Sequence, residues 1–507
     1  MNDITLTGKT LPLADLVSIA DGRRIRLSEA ALRQVRAGQR ALADALARGE
    51  GVYGTTSMVG AFKDAVVTPE DRPHHTLRLM RSHQLGFGEA LPVRTVRAAM
   101  LIRLNGILSG HTGAGPDLAR ALEALLNTGI TPVVPEYGSI GCADVGLMGH
   151  VGAVLMGEGE AFGPDGKRLS AAALLKRCSL RAFVPGPKDM MTVLSSNALG
   201  VAGVALVVAE IRARLPLWLG IYTVSCAGFG AFRIPWEAAR RTGMPTEQRI
   251  ARFLERVSGD GGWTPRRNLQ DPLSFRCMPQ IGGAFLAALE RVEASLAYSF
   301  SHCDDNPILL DGRALTSGAS LPLSLALDAQ AFVLALCHYV RGVLGRILAL
   351  CRNDLSGLSR NLTFEPGRQV AFGAATKLAA DLATSILRES TPASLYQVPV
   401  ANGFEDEASY LPSIARALRL QCTLLEPLVA LEAMAGRQAV RLLSGATPEG
   451  LPGAIIAALS QDIPWLDDSH AVGDVLRATE AVLAEFPLPP APEFDSSQPD
   501  PMECLYA

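Results

Sequence analysis

The sequence is short of several things, and each shortage excludes something. Of 507 residues only 19 % are charged and 6 % aromatic, and 47 Lys+Arg against 50 Asp+Glu leave a net charge of −3. With no basic excess to neutralise phosphates or an anionic surface, neither nucleic acid nor a membrane is an expected partner. Uninterrupted apolar runs are brief. One of the longest begins at Ala198 and is ended by Glu210 and Arg212, short of the ~18–20 residues that span a bilayer. The nine cysteines form no Cys-x-x-Cys and no Cys/His cluster at zinc spacing, and an odd count does not suit a closed disulfide framework. The opening MNDITLTGKTLPLADL lacks the basic-then-apolar order of a signal peptide. The expected setting is a reducing cytoplasm, with no metal.

What is present is aliphatic. Hydrophobic residues make up 48 %, which excludes a disordered chain and supplies a large core. With aromatics scarce, that core must be Leu, Ala and Val, a composition suited to long packed helices. Length alone suggests roughly three domains, but the pattern along the chain points to fewer. Ile4-Thr5-Leu6-Thr7 and Arg24-Ile25-Arg26-Leu27 read as strands around the turn Asp21-Gly22. Ser28 is a helix N-cap with Glu29 in the first turn. Gly-rich and Pro-punctuated loops follow at 51–60 and 132–144, with helical periodicity at 75–85, 95–108 and 145–156 and a hairpin within 157–169. Beyond residue 192, helical segments are expected at 195–215, 246–257, 283–301, 323–355, 369–387, 413–443 and 469–485, the sixth kinked by Pro427. The breaks at 270–280, 304–320 and 390–407 carry the polar residues. The expectation is a mainly α protein: an elongated bundle of long helices with a smaller loop-rich N-terminal region. The boundaries are a first region 1–195, a bundle 196–486 and a disordered Pro/Asp/Ser-rich tail 487–507.

Several loop motifs occur in a particular order. They begin with Tyr53-Gly54-x-x-Ser57-x-x-Gly60, Arg81-Ser82-His83-x-x-Gly86-x-Gly88, Arg103-x-Asn105 and Gly138-Ser139-Ile140-Gly141. Gln270-Asp271-Pro272-x-Ser274-x-Arg276-Cys277-x-Pro279-Gln280 is the most specific. Asp305-Asn306-Pro307, Ser317-Gly318, Pro392-Ala393-Ser394 and Glu405-Asp406-x-x-Ser409 complete the series. The chain therefore resembles, from Leu6 to about Gly445, the aromatic amino acid lyases: the histidine, phenylalanine and tyrosine ammonia-lyases and their aminomutase relatives. The resemblance implies an ammonia-lyase-like helical fold and a homotetramer with active sites shared between subunits.

In that family a central Ala-Ser-Gly cyclises and loses water to form a methylidene-imidazolone electrophile. Here the loop reads Gly138-Ser139-Ile140-Gly141-Cys142-Ala143-Asp144, one residue shorter and without the Ser-Gly pair. Ala143 has no leaving group, so no methylidene-imidazolone is expected and no other cofactor is implied. A Gly141-Cys142-Ala143 triad would have to eliminate a thiol and close through Ala143, which is more crowded than Gly. Other departures accompany this one. Leu273 stands where the family has a catalytic Tyr, Ser195-Ser196-Asn197 where it has Asn-Gly-Thr, and Ser317-Gly318-Ala319-Ser320-Leu321-Pro322 where it has Ser-Gly-Gly-Asn-Phe-His.

The retained positions lie on the substrate side. Tyr53, in a Gly-flanked loop, is the candidate base. The resemblance makes His83 and Glu405 a ring-binding or proton-exchanging pair, against the plainer readings of a helix-end hydrogen bond and a solvated acidic turn. It makes Arg276 the carboxylate-binding residue, whose planar fork suits that task. Gln270, Asn306 and Asn105 are candidate polar liners, against the plainer reading of loop-stabilising amides, and Ser195 and Leu273 are placed beside them. Cys142, just before a helix, is either a nucleophile with a lowered thiol pKa or a small filler of the vacated space.

Three readings follow. The first is an enzyme acting on an amino-acid-like or histidine-like carboxylate by electrophile-independent elimination, isomerisation or cyclisation. The second is an inactive homologue that binds a metabolite or a partner lyase. The third is a conventional ammonia-lyase.

Overall fold

The computed structural model describes residues 3–259, 263, 265, 269–396, 398–443 and 447–487. It is mainly helical, with only short strands between helices. Of the tail expected at 487–507, residues 488–507 lie outside the described residues.

The N-terminal features follow the sequence pattern closely. Ile4–Leu6 and Ile25–Leu27 pair as parallel strands. The Ser28 hydroxyl accepts the Ala31 N–H at 3.1 Å and opens the helix Glu29–Ala47. The hairpin is formed by Glu160–Phe162 against Arg168–Ser170. The helices Arg72–Ser82, Val93–Leu108 and Val145–Leu155 lie where the periodicity placed them. Shorter helices unmarked by strong periodicity also form, among them Leu13–Ala20, Pro116–Thr128, Asp189–Leu194 and Ile234–Thr242.

The chain divides into two compact units, each built from separated segments. One comprises Met1–Ala209, Arg291–Gln330 and Thr391–Arg419; the other comprises Glu210–Glu290, Ala331–Ser390 and Leu420–Ala507. A single boundary at 195/196 does not describe this division. Segments distant in sequence return to the first unit, and the unit boundaries fall inside Ala198–Phe229, Met278–Ser301, Leu323–Cys351 and Leu411–Leu442. Ala198–Phe229 outruns its expected end near 215 and passes through Pro216, as Leu411–Leu442 passes through Pro427.

Two of the helical stretches are more apolar than their uninterrupted runs suggest. Asp189–Phe229 and Leu323–Cys351 are long and apolar enough to cross a membrane, because a window tolerates an occasional charge. Their apolar windows are 94 % and 61 % buried inside the protein, which is the environment of core helices.

Candidate active site

In the first unit the shortened loop becomes a tight turn held from three sides. Gly141 has φ +79°, and a Cβ there would lie 2.4 Å from Ser409 Oγ and within 3 Å of two backbone nitrogens, so only glycine fits. Ser409 Oγ donates to the Gly141 carbonyl at 2.6 Å, and the Tyr410 N–H donates to the Ile140 carbonyl at 2.8 Å. Ala143 sits at φ +54°, a left-handed conformation unusual for a residue with a Cβ. Its N–H is shared between the Ser320 carbonyl at 2.9 Å and Asn197 Oδ1 at 3.0 Å. Asp144 is fully buried at the start of Val145–Leu155. It accepts from Ser139 Oγ at 2.7 Å and from the Gly200 N–H at 2.9 Å. Burial pushes its carboxyl up to about 6 against these hydrogen bonds.

Behind the turn lies a buried ionic lattice. Asp305 accepts from Lys188 Nζ at 2.8 Å and pairs with Arg103 at 3.3 Å. Asp304 pairs with Arg103 at 2.9 Å and accepts from Ser196 Oγ and the Asn197 N–H at 3.0 and 2.7 Å. The lattice thus fixes Asn197, and through it the Ala143 amide. In the sequence Ser196, Asn197 and Ser320 stand out only as departures from the family pattern, and Ser195 also as a polar liner. Three polar residues between apolar helices were the available signal that this stretch supports the turn.

Four predicted residues gather in front of the turn. Tyr53, Cys142 and Glu405 interact electrostatically, and His83 acts in turn on Glu405. All four are half-buried. The Tyr53 hydroxyl oxygen accepts the Gly60 N–H at 2.8 Å, across its own loop. Burial and the Glu405 charge nevertheless hold the phenol above its ordinary value. His83 Nδ1 lies 2.7 Å from the Leu79 carbonyl. That contact requires the proton on Nδ1 and leaves Nε2 for a partner. Burial raises the Glu405 carboxyl, and His83 partly offsets the rise.

The expected lowering of the Cys142 thiol is not met. Burial and Glu405 push it up, and a hydrogen bond with Ser320 offsets this only partly, so the thiol stays protonated at neutral pH. The helix that was to activate it begins at Val145, with the Asp144 carboxyl at its N-terminus.

Ser195 and Asn306 also meet in this unit: the Asn306 N–H donates to Ser195 Oγ at 3.0 Å. Asn306 Oδ1 is itself taken by the Ser317 N–H at 2.9 Å, which makes it a loop-holding amide.

Gln270, Leu273 and Arg276 belong to the second unit. Gln270 is exposed and Leu273 is 61 % exposed. Arg276 ends the single turn Leu273–Arg276. Its buried Nε has no acceptor, and among the described residues no carboxylate pairs with it. A guanidinium left in that state is suited to a carboxylate brought by a ligand. No group of three or more His, Cys, Asp or Glu suited to a metal occurs among the described residues.

A family model for aromatic amino acid lyases matches residues 11–462. The chain belongs to that family. It is 33 % identical to a histidine ammonia-lyase of Streptomyces griseus over 470 residues, covering 88 % of this chain and 89 % of the relative. Its fold matches the ergothioneine-degrading enzyme ergothionase from Treponema denticola, crystallised with desmethyl-ergothioneine sulfonic acid. The TM-score is 0.90 at 27 % identity, covering 95 % of this chain and 99 % of the other. Phenylalanine aminomutase from Pantoea agglomerans shares the fold at TM-score 0.91 and 19 % identity, covering 95 % and 99 % of the two chains. In this member of the family the loop leading into Val145–Leu155 reads Gly138-Ser139-Ile140-Gly141-Cys142-Ala143-Asp144.

Proposed function

We propose that the chain is a lyase that works without the methylidene-imidazolone. In this reading it eliminates a quaternary ammonium group from a histidine-derived betaine, ergothioneine or a close analogue. The observation that carries the reading is the turn itself. Ala143 offers nothing to eliminate, while Tyr53, Glu405 and His83 remain assembled in front of it.

Chemistry links the lost electrophile to the leaving group. A primary amino group needs activation before its C–N bond breaks. A trimethylammonium group has no lone pair for an electrophile to engage, and it departs as neutral trimethylamine without a proton. Tyr53 in its phenolate form takes the proton from Cβ, the C–H electron pair becomes the Cα=Cβ bond, and the Cα–N pair leaves with the amine. The products are an α,β-unsaturated carboxylate and the amine.

The electrostatics support the same substrate class. Tyr53, Cys142 and Glu405 each make it costlier for a neighbour to carry negative charge. A fixed cation beside them reverses that penalty, draws Tyr53 toward the phenolate and can lie against its ring. His83 Nε2 and Glu405 then hold the imidazole-derived ring, and Arg276 the carboxylate.

Arg276 is proposed to come from a second copy, in a homotetramer whose sites are shared between subunits. Exposed apolar side chains accompany both parts of the site and support a covering protein surface. Phe62, Phe87, Leu395 and Tyr396 are 67, 81, 72 and 63 % exposed in the first unit, and Leu269 is 98 % exposed in the second.

The test incubates the purified protein with ergothioneine and with L-histidine, measuring trimethylamine, ammonia and the near-ultraviolet absorbance of the unsaturated acid. Trimethylamine release lost in Tyr53→Phe supports the reading. A second reading, a conventional histidine ammonia-lyase, is favoured by the 33 % identity to such an enzyme. It requires cyclisation of Gly141-Cys142-Ala143 and an intact mass below that of the encoded chain. An intact mass equal to the encoded one removes it. Binding without turnover of either compound, unchanged by Tyr53→Phe, favours an inactive homologue.

A further inference from the structure

We infer that Tyr222 and Arg346 are positioning residues for Arg276, holding from within the core the single helical turn that presents it. The inference rests on the proposed role of Arg276 in binding the substrate carboxylate.

Leu273–Arg276 is a four-residue turn and cannot fix its own direction, since one turn gains too few hydrogen bonds to offset the ordering of its backbone. The turn is secured by two buried side chains instead. Tyr222 OH donates to the Phe275 carbonyl at 2.6 Å, and an Arg346 terminal nitrogen donates to the Ser274 carbonyl at 3.0 Å. The carbonyls of the two residues just before Arg276 are therefore both tied down. The turn is held a third way by the Phe275 ring, stacked on Phe229 at 4.2 Å between centroids.

The two anchors are themselves built in. Arg346 is fully buried and forms a two-pronged pair with Glu432, at 2.5 and 3.0 Å, while Ser225 Oγ donates to the same carboxylate at 3.0 Å. Its guanidinium lies 5.1 Å from the Tyr222 ring centroid. Tyr222 OH accepts from the Trp236 indole N–H at 3.0 Å, so its proton is directed at Phe275. A buried charge is costly unless paired. Aliphatic groups of similar volume would fill this space at no such cost. Here two polar groups from Ala198–Phe229 and Leu323–Cys351 converge on one turn, and the residue that ends it keeps an unmet buried donor.

The experiment is a double-mutant cycle between Tyr222→Phe and Arg276→Ala, with Arg346→Lys as the conservative second anchor. Thermal melting and circular dichroism confirm folding of each variant. Turnover of ergothioneine gives kcat and KM, and calorimetric titration with ergothioneine and L-histidine gives binding. Tyr222→Phe should raise KM and Kd about tenfold with little change in kcat, the loss of one aligned hydrogen bond. In the Arg276→Ala background it should change neither further. Arg346→Lys keeps the charge opposite Glu432 without the fork and should fall between wild type and Tyr222→Phe.

Unchanged binding in Tyr222→Phe, where Arg276→Ala weakens it, overturns the inference and leaves the role of Arg276 standing. Losses that simply add in the double variant also overturn it, because they mark a general structural role. If Arg276→Ala leaves binding unchanged, or the wild type binds neither compound, the role of Arg276 fails and the inference fails with it.

Discussion

At the scale of the residue, the chemistry turns on which groups hold protons. Tyr53 is held above its ordinary value by burial and by Glu405, so in the proposed reaction it is the cation of the substrate that draws the phenol toward its basic form. Tyr53→Phe should lower turnover by about 100-fold or more, the usual contribution of a positioned acid–base group. Its melting temperature should barely move, since only the Gly60 N–H loses an acceptor. Stopped-assay rates beside thermal melts check both. Asp144 tests the burial argument separately. Its folded-state value near 6 lies above the unfolded value near 3.8, so between these values the folded chain holds a proton that the unfolded chain releases. The stability cost of the ionised carboxylate, ~3 kcal/mol, is present above pH 6 and fades as the pH falls through that window. Asp144→Asn should remove this dependence. Denaturant titrations at pH 7 and pH 4.5 should show the wild type gaining on the variant as pH falls.

At the scale of the element, much was legible. Ser28 could be read as an N-cap because a small hydroxyl residue followed by Glu and an Ala/Leu period has one good local solution. Ser28→Ala should cost about 1 kcal/mol, measured by chemical denaturation. The strand pairs, the hairpin and the long apolar helices were legible for the same reason: their signals lie within a few residues. Pro427 and Pro216 were less so, because each helix runs on past the proline on the strength of packing along its whole length. The Cys142 environment was not legible at all. The local pattern promised a helix N-terminus beside the thiol. The Glu405 charge that opposes ionisation comes from a segment more than 250 residues away. The ionic lattice beneath Asn197 was hidden likewise, since Arg103, Lys188 and the Asp304-Asp305 pair meet only in three dimensions.

At the scale of the whole molecule, the division into units drawn from separated segments could not be read from composition, which changes little along the chain. Of the candidate residues, Tyr53, His83, Cys142 and Glu405 belong to one unit and Arg276 to the other. The buried Arg346–Glu432 pair belongs to this scale because it joins helices far apart in sequence. Removing one partner with Glu432→Leu should cost about 3–5 kcal/mol by denaturant titration, as an uncompensated buried guanidinium remains. Sedimentation should show a tetramer if the proposed assembly forms, with Phe62, Phe87, Leu269, Leu395 and Tyr396, exposed in the single chain, covered in it.

The central claim, that this lyase dispenses with the family's electrophile by acting on a substrate whose amine needs none, is tested most directly by amine release from ergothioneine. The account predicts one trimethylamine per unsaturated acid formed, from a protein whose intact mass equals that of its encoded chain. Ammonia released from L-histidine by a protein of reduced mass, with ergothioneine untouched, would contradict it.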